Sequence, residues 1–295
     1  IHSPDISAYH AEILPLEAKK KNIKVIGAYA GNPLYWSPAE KRTYSFADII
    51  VTISPQTYSF AKFHYSNIPT IYMPECVDTN YFMKKDFNSN SFKVGWAGGI
   101  HKKIKRFYLT EHLNYPIYLQ DDWKERRKVN DNSLNLNKMR DFYNSIDVLI
   151  VTSESECQPR VVMEAMAIGL PVIATNVGSM KMLLSKEWIV DNYPDNEVIT
   201  QMNTKLKKLE ENPELRQEIG KRNRQHIHKY FSWENNKFLW DNLFTNLYKN
   251  NINQIINDSN EFLKPFKTNF ESEFLEFKPN KPEPKIKLEN KPIIN

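Results

Sequence analysis

The sequence predicts an α/β protein built on parallel sheets. Short apolar runs, typical of strands buried on both faces, alternate with helical segments along most of the chain. Its 295 residues are enough for two modest domains with a real core. Five of the eight glycines fall in or near two predicted strand-to-helix loops: Gly95, Gly98, Gly99, Gly169 and Gly178. This clustering indicates either ligand loops that need special backbone geometry or ordinary turns.

Composition narrows the class of protein. The net charge of +5 permits an anionic ligand or a membrane surface but does not require nucleic acid. The two cysteines, Cys76 and Cys157, are too few for a disulfide framework or a zinc site and fit a reducing compartment. No apolar run long enough to span a bilayer and no signal peptide is visible. We therefore expect a cytoplasmic protein, with peripheral membrane contact as an option and no nucleic-acid partner.

The first part of the chain is typical of a parallel α/β domain. The sequence begins with Ile1, and residues 1–5 look like the end of a strand, so we expect a fragment or processed chain that lacks earlier strands. Ser54 followed by Pro55 is typical of a helix start. The predicted elements are a proline-interrupted helix at 8–21, strands at 23–27, 47–54 and 69–74, and a helix at 57–65.

The rest of the chain continues the alternation and then loses it. Strands are predicted at 92–97, 115–122, 148–152 and 171–175, and helices at 137–145, 160–168, 196–211, 213–230 and from 232. From about Ser259 the periodicity ends, which indicates a disordered tail. Phenylalanines at near-helical spacing in this region would dock on a membrane, a partner or, preferably, the protein itself: Phe262, Phe266, Phe270, Phe274 and Phe277.

Two carboxylates stand out in the stretch 148–184. Glu164 lies in an otherwise apolar helix, where an unpartnered carboxylate is costly to bury. Glu156 lies in the loop before that helix, at the carboxyl end of a strand, where parallel sheets bind ligands. The helix start after Pro159 offers free N–H groups that suit a phosphate. The combination suits a sugar nucleotide, and the alternative is a salt-bridged helix beside a solvated acidic loop.

A basic turn follows the strand at 92–97. A glycine turn with cations after it suits a diphosphate, although a solvated basic turn would look the same. The residues concerned are Gly98, Gly99, His101, Lys102, Lys103, Lys105 and Arg106. The adjacent Asp121 and Asp122 favour a solvated loop over a metal site, because no Asp-x-Asp occurs in the chain.

The stretch around the two carboxylates resembles the donor-site signature of retaining family 4 glycosyltransferases, in the glycosyl transferases group 1 with the GT-B fold. The resemblance rests on Glu156, Glu164-Ala-Met-Ala167, Gly169, Pro171-Val-Ile-Ala-Thr175 and Val177-Gly178. It implies two Rossmann-like parallel-sheet domains facing a cleft, with the N-terminal domain incomplete. Residues 73–82 also resemble the family's exit from its first domain. The implied division is 1–82 for the latter part of the N-terminal acceptor-side domain, 83–258 for the nucleotide-sugar-binding domain with closing helices, and 259–295 for a disordered or docking tail.

The resemblance also implies roles for individual residues. Glu156 would meet hydroxyls of the donor sugar, and Glu164 would hold the ribose. His2, in a His-x-Pro context, would be the cleft histidine, so His2 and Glu156 are the catalytic candidates. The other donor-binding candidates are Gly98, Gly99, Lys103, Lys105, Cys157, Gln158, Pro159 and Arg160. Cys157 replaces the family's usual glycine, and its usual Gly-Arg-Leu is absent, so the first diphosphate cation is not identifiable.

The implied activity is metal-independent transfer of a sugar, with retention, from a nucleotide-sugar donor of the UDP or GDP type. No cofactor is expected, and the acceptor would be a glycan, a lipid or a protein. The alternatives are an inactive or partial GT-B nucleotide-binding protein and a GT-B epimerase. A phosphorylase is disfavoured because no motif for its pyridoxal lysine is visible. The sequence does not reveal the base of the donor nucleotide, the sugar, the acceptor or the oligomeric state.

Overall fold

The protein contains two parallel sheets, as the alternating pattern predicts. The computed structural model describes residues 18–29, 44–85, 91–120 and 132–267. The predicted helix at 8–21 lies mostly outside these residues. Within these ranges both sheets are parallel, with three strands in the first and five in the second.

The first sheet has the strand order β1-β2-β3. Strand β1 begins three residues later than predicted, at Ile26, because the N–H of Val25 donates to the Asp48 carboxylate at 2.7 Å instead of joining the ladder. The strands are β1 (Ile26–Tyr29), β2 (Ile49–Thr52) and β3 (Thr70–Tyr72).

Helix α1 (Pro55–His64) links β2 to β3 and starts as predicted. The Ser54 hydroxyl accepts a hydrogen bond from the Thr57 N–H at 3.2 Å, and the Thr57 hydroxyl accepts one from the Ser54 N–H at 3.1 Å. This reciprocal cap, with Pro55 in the first turn, satisfies the free donors of the helix start. The cap fixes the direction in which the chain leaves the carboxyl end of β2.

The second sheet has the strand order β5-β4-β6-β7-β8. Its core strand β6 is buried on both faces, since Leu149 and Val151 belong to one hydrophobic cluster while Val148 and Ile150 belong to another. The strands are β4 (Val94–Ala97), β5 (Ile117–Gln120), β6 (Val148–Val151), β7 (Val172–Thr175) and β8 (Ile189–Val190).

Helices cover both faces of the second sheet, which explains its apolar strands. They are α2 (Asn132–Asn144), α3 (Arg160–Ile168), α4 (Met180–Leu183), α5 (Asp195–Glu211) and α6 (Pro213–Phe231). Helices α3 and α6 pack on one face and α5 on the other. Among the helices in the described ranges, none is both long and apolar enough to cross a membrane.

The chain returns to the first sheet through helices α7 (Trp233–Tyr248) and α8 (Ile252–Leu263). Leu239, Leu243 and Leu247 of α7 pack with Ile49 and Ile71 of the first sheet. The segment that leaves the first sheet, at Val77, pairs with the segment that returns to it, at Phe231 and Trp233. The Val77 N–H donates to the Phe231 carbonyl at 2.9 Å, and the Trp233 N–H donates to the Val77 carbonyl at 3.0 Å.

The predicted loss of regular structure from Ser259 is wrong for residues 259–267. Helix α8 continues to Leu263, and a 3-10 turn follows at Lys264–Phe266. The buried Ser259 hydroxyl accepts from the Tyr72 N–H and donates to the Tyr72 carbonyl, both at 2.9 Å. Sequence periodicity does not reveal this pairing with the edge of β3. Residues 268–295 lie outside the described part, and the division into three ranges, 1–82, 83–258 and 259–295, stays a prediction.

Candidate functional site

The carboxyl ends of the two sheets meet. The Gln56 side-chain amide donates to the Gly178 carbonyl at 3.3 Å, and the Ser179 hydroxyl donates to the Ile53 carbonyl at 3.2 Å. Residues 53–56 follow β2, whereas 178–179 follow β7. The loops after β4, β6 and β7 therefore lie at one edge that faces the first sheet, which is where parallel sheets hold ligands.

Glu156 lies in the loop at 152–159, named here the carboxylate loop. Its Oε1 accepts a hydrogen bond from the Ser153 hydroxyl at 2.6 Å and forms an ion pair with the Lys105 ammonium. The Glu156 side chain is 12% exposed and that of Lys105 is 24% exposed. The structure thus brings the predicted carboxylate and one of the predicted cations together at the sheet edge.

The backbone at Gly178 packs closely against the backbone of the carboxylate loop. Its φ of +55° lies in the left-handed region. A Cβ added there would lie 2.3 Å from the Cys157 carbonyl oxygen and 2.7 Å from that of Glu156. Only a glycine allows this close approach of two backbone segments. The Ser179 N–H completes the contact by donating to the Cys157 carbonyl at 2.8 Å.

The Cys157 thiol lies near the start of helix α1. Burial raises its pKa to about 11, although the hydroxyls of Ser54 and Thr57 act in the opposite direction. The Cys157 side chain is therefore a neutral thiol that lies against the start of α1.

Gln158 and Pro159 complete the carboxylate loop. The buried Gln158 amide accepts from the Glu75 N–H at 3.0 Å and donates to the Glu75 carbonyl at 3.1 Å. This pair ties the loop to the segment that leaves the first sheet. Pro159, the predicted first helical residue, is the N-cap of α3, which begins one position later at Arg160. Since proline has no amide hydrogen, Pro159 itself cannot donate to a ligand.

Glu164 is buried one turn into α3, with 6% of its surface exposed. The Tyr143 hydroxyl donates to its Oε2 at 2.9 Å, and the Arg160 guanidinium lies 3.8 Å from its Oε1. Arg160 also lies 3.9 Å from the Glu75 carboxylate and is largely exposed. Sequence reasoning missed Tyr143. Its only signal was a tyrosine in the helix before β6.

The basic turn, residues 98–106, follows β4. The Gly98 N–H donates to the Gln120 carbonyl at 3.2 Å, and the Gly99 carbonyl accepts from the Lys102 N–H at 3.0 Å. Lys103 is exposed in the 3-10 turn Lys103–Lys105, while Lys105 points to Glu156. Arg106, which sequence reasoning did not single out, is buried beside the carboxylate loop.

The candidate site consists of the carboxylate loop, the basic turn and the start of α3, and among the described residues it does not coincide with a large cavity. Two surface cavities, of about 330 and 400 Å³, are not lined by Glu156, Lys105 or Glu164, although Tyr143, the hydrogen-bond donor to Glu164, lines the first. Tyr143, Asp147 and Arg216 are among the residues lining the first, and Met182 and His226 among those lining the second. In the ranges with described coordinates, no group of three or more His, Cys, Asp or Glu side chains could hold a metal ion. His2, Asp121 and Asp122 lie outside those ranges.

The part of the chain that carries both carboxylates matches a known family. Residues 132–226 match the model of the glycosyl transferases group 1. This range includes the carboxylate loop, Glu164 and Tyr143. It leaves out the first sheet and the basic turn.

About half of the chain is also similar in sequence to a curated glycosyltransferase. The chain is 32% identical over 156 residues to an uncharacterized glycosyltransferase of Methanocaldococcus jannaschii. The alignment covers 51% of this chain and 38% of that protein. The chain therefore spans well under half the length of this relative.

Solved structures define the fold. Sucrose-phosphate synthase from Thermosynechococcus elongatus superposes with a TM-score of 0.64 at 18% identity, covering 82% of this chain and 76% of that one. The Anabaena protein HepE in complex with UDP superposes with a TM-score of 0.65 at 14% identity, covering 81% and 77%. The chain has the GT-B fold, with two parallel sheets, as predicted. The similarity to the glycosyl transferases group 1 itself is carried by residues 132–226.

Proposed function

We propose that this protein transfers a sugar from a nucleotide-sugar donor of the UDP or GDP type to an acceptor, as a retaining, family 4-like glycosyltransferase that needs no metal. The observation that carries the proposal is the placement of Glu156 and Glu164. Glu156 lies in the loop that follows β6, Glu164 lies one turn into the helix after that loop, and a side chain from another element contacts each of them. The family match over the same residues and the UDP bound in the Anabaena neighbour support it.

The two carboxylates would bind different parts of the donor. Glu156 would accept hydrogen bonds from hydroxyls of the transferred sugar, because its loop opens at the strand ends. Glu164, one turn into α3, would accept from the ribose hydroxyls. The Lys105 ammonium already forms an ion pair with Glu156, which offsets part of the cost of burying that carboxylate.

The diphosphate would lie between the basic turn and the start of α3. The first turn of α3 provides free N–H groups and the positive end of the helix dipole. Lys103, Lys105 and the exposed Arg160 supply positive charge on either side. These groups would stabilise the charge that develops on the leaving diphosphate. Retention would follow if the leaving phosphate accepts the acceptor's proton on the same face, with His2 as the cleft histidine.

Nucleotide binding tests the proposal directly. UDP, GDP and ADP are titrated without metal into the wild-type chain and the Glu164→Ala variant, by calorimetry. A lost charge-assisted hydrogen bond is worth about 1.5–3 kcal/mol, so one nucleotide should bind roughly tenfold to a hundredfold more weakly to the variant. Glu218→Ala, which alters an exposed helical ion pair with Arg222, is the matched control and should bind like wild type.

Two outcomes would contradict the proposal. A folded wild-type chain that binds none of the three nucleotides would be a GT-B remnant without a working donor site. Equal binding by wild type and Glu164→Ala would remove the ribose role from Glu164. Once a donor is identified, the anomeric configuration of the product, read by NMR with and without EDTA, tests retention and metal independence separately.

A further inference from the structure

Arg106 ends the basic turn, and its guanidinium is fully engaged within the protein. The one Nε–H donates to the Thr152 carbonyl at 2.9 Å. Nη1 donates to the Asn192 carbonyl at 2.8 Å and to the Asp195 carboxylate at 3.3 Å. Nη2 donates to the Ser153 carbonyl at 3.3 Å and to the Asn192 side-chain oxygen at 2.6 Å. All five N–H donors of the side chain thus have partners.

The backbone of Arg106 is in the left-handed region, with φ of +46°. Residues other than glycine rarely adopt this conformation, and they persist in it where the surrounding structure fixes them. The residue is only 2% exposed, and the Tyr193 ring lies 4.9 Å from its guanidinium carbon. A buried guanidinium with no donor left over is not available to a diphosphate, so Arg106 does not supply the family's missing first cation.

The contacts of Arg106 are part of a set of hydrogen bonds between residues 104–106 and residues 152–156. The Ile104 carbonyl accepts from the Glu154 N–H at 2.8 Å, and the Lys105 carbonyl accepts from the Thr152 hydroxyl at 2.8 Å. The Lys105 ammonium pairs with Glu156. Residues 104–106 therefore hold 152–156 through both backbone and side chains.

We propose that Arg106 is a positioning residue for Glu156. By binding the carbonyls of Thr152 and Ser153, it sets the start of the carboxylate loop. It thereby places the Ser153 hydroxyl that holds Glu156. The inference rests on the proposed function, in which Glu156 meets the sugar and Glu164 meets the ribose. Loss of the Arg106 side chain should therefore weaken recognition of the sugar and spare recognition of the nucleotide.

The test compares Arg106→Gly with wild type. Glycine accepts the left-handed backbone, so this variant removes the guanidinium without adding strain. Affinities for UDP, GDP, UDP-glucose and GDP-mannose are measured on the full chain by calorimetry. We expect the variant to bind the preferred sugar nucleotide about tenfold or more weakly, since small displacements of binding groups have large effects. Its affinity for the free nucleotide should stay near that of wild type, and added guanidinium ion should restore part of the loss.

Asp195→Asn keeps Arg106 but removes its ion pair, and should show a smaller loss with the same selectivity. It replaces the glycine variant if that chain does not fold. An equal drop for nucleotide and sugar nucleotide would overturn the inference, because a merely structural residue or a diphosphate ligand gives that result.

Hydrogen exchange of the amides of residues 154–157 decides the inference even if wild type binds no nucleotide and the proposed function fails. Faster exchange in Arg106→Gly supports a positioning role for Arg106. Unchanged exchange overturns it.

Discussion

The two carboxylates at the site are held in different ways, although they are only eight positions apart. Glu156 lies in a loop and is fixed by charge and by backbone, through Lys105, Ser153 and the close approach of Gly178. Glu164 lies inside a helix and accepts a hydrogen bond from the neutral hydroxyl of Tyr143, with the exposed Arg160 guanidinium 3.8 Å away. The first arrangement depends on three loops from separate parts of the chain. The second depends on two packed helices.

This difference predicts which mutations each of the two regions should respond to. Backbone changes around the carboxylate loop should disturb Glu156, because no regular element holds its position. The helical region should tolerate changes in its surroundings and respond mainly to the loss of one hydroxyl. Three experiments separate these behaviours.

The largest effect is expected for Gly178→Ala. The added Cβ would clash with two backbone carbonyl oxygens, at 2.3 and 2.7 Å, in a left-handed backbone. Overpacking and the unfavourable backbone together should lower the free energy of unfolding by about 2–4 kcal/mol, as measured by urea denaturation. Sugar-nucleotide binding should fall further than nucleotide binding, because Glu156 moves more than Glu164.

Gly99→Ala is the matched control, since the new Cβ there would meet the flexible side chains of His101 and Lys102. It should change stability by no more than about 0.5 kcal/mol. If Gly178→Ala is as stable as this control, the carboxylate loop is not supported by the close approach described here.

Tyr143→Phe should have an intermediate effect. It leaves the buried Glu164 carboxylate without its hydroxyl donor, which should lower the free energy of unfolding by about 1–3 kcal/mol. UDP or GDP should bind about tenfold more weakly, with no selective loss for the sugar part.

Tyr81→Phe removes a surface hydrogen bond to Asn137, 2.7 Å long, by the same chemical change. It should alter neither stability nor binding measurably. Selective loss of sugar recognition in Tyr143→Phe would show that the two regions are not independent.

The smallest effect concerns the Cys157 thiol, next to Glu156. Burial raises its pKa from an ordinary value of 9.0 to about 11, so the unfolded chain loses this proton at a lower pH than the folded one. The thiol thus contributes stability below pH 9, and the contribution is lost as the pH rises from 9 to about 11.

At pH 8 the folded protein should hold roughly a hundredfold less thiolate at this position than a free thiol would. Iodoacetamide, applied in a Cys76→Ser background, should therefore react slowly, and faster when Gly178→Ala is added. Rapid alkylation of the unaltered loop would mean that the carboxylate loop is already open.

Local patterns predicted most of the fold, because buried strands and capped helices depend on neighbouring residues. The Ser54 cap, strand β6 and helix α3 fall into this group. The late start of β1 was not predictable, since the Asp48 carboxylate that competes for Val25 lies far along the chain.

The candidate site likewise contains residues that could be predicted from the sequence and residues that could not. Glu156 and Glu164 were visible as charges in apolar or loop surroundings, and Lys105 as part of a basic turn. The roles of Tyr143 and Arg106 depend on contacts over 21 and 46 positions, to Glu164 and to Thr152. The sequence showed Arg106 only as one cation among several and gave no sign of its left-handed backbone or its burial.

The return of the chain to the first sheet has a consequence for synthesis. Strands β1 to β3 leave the ribosome early, but the leucines of α7 that cover Ile49 and Ile71 come after the whole second sheet. Until then the first domain exposes an apolar sheet face to water, the kind of surface that leads to aggregation. The folding of these strands is therefore expected to be completed after the second sheet has been translated, even though they precede it in the chain.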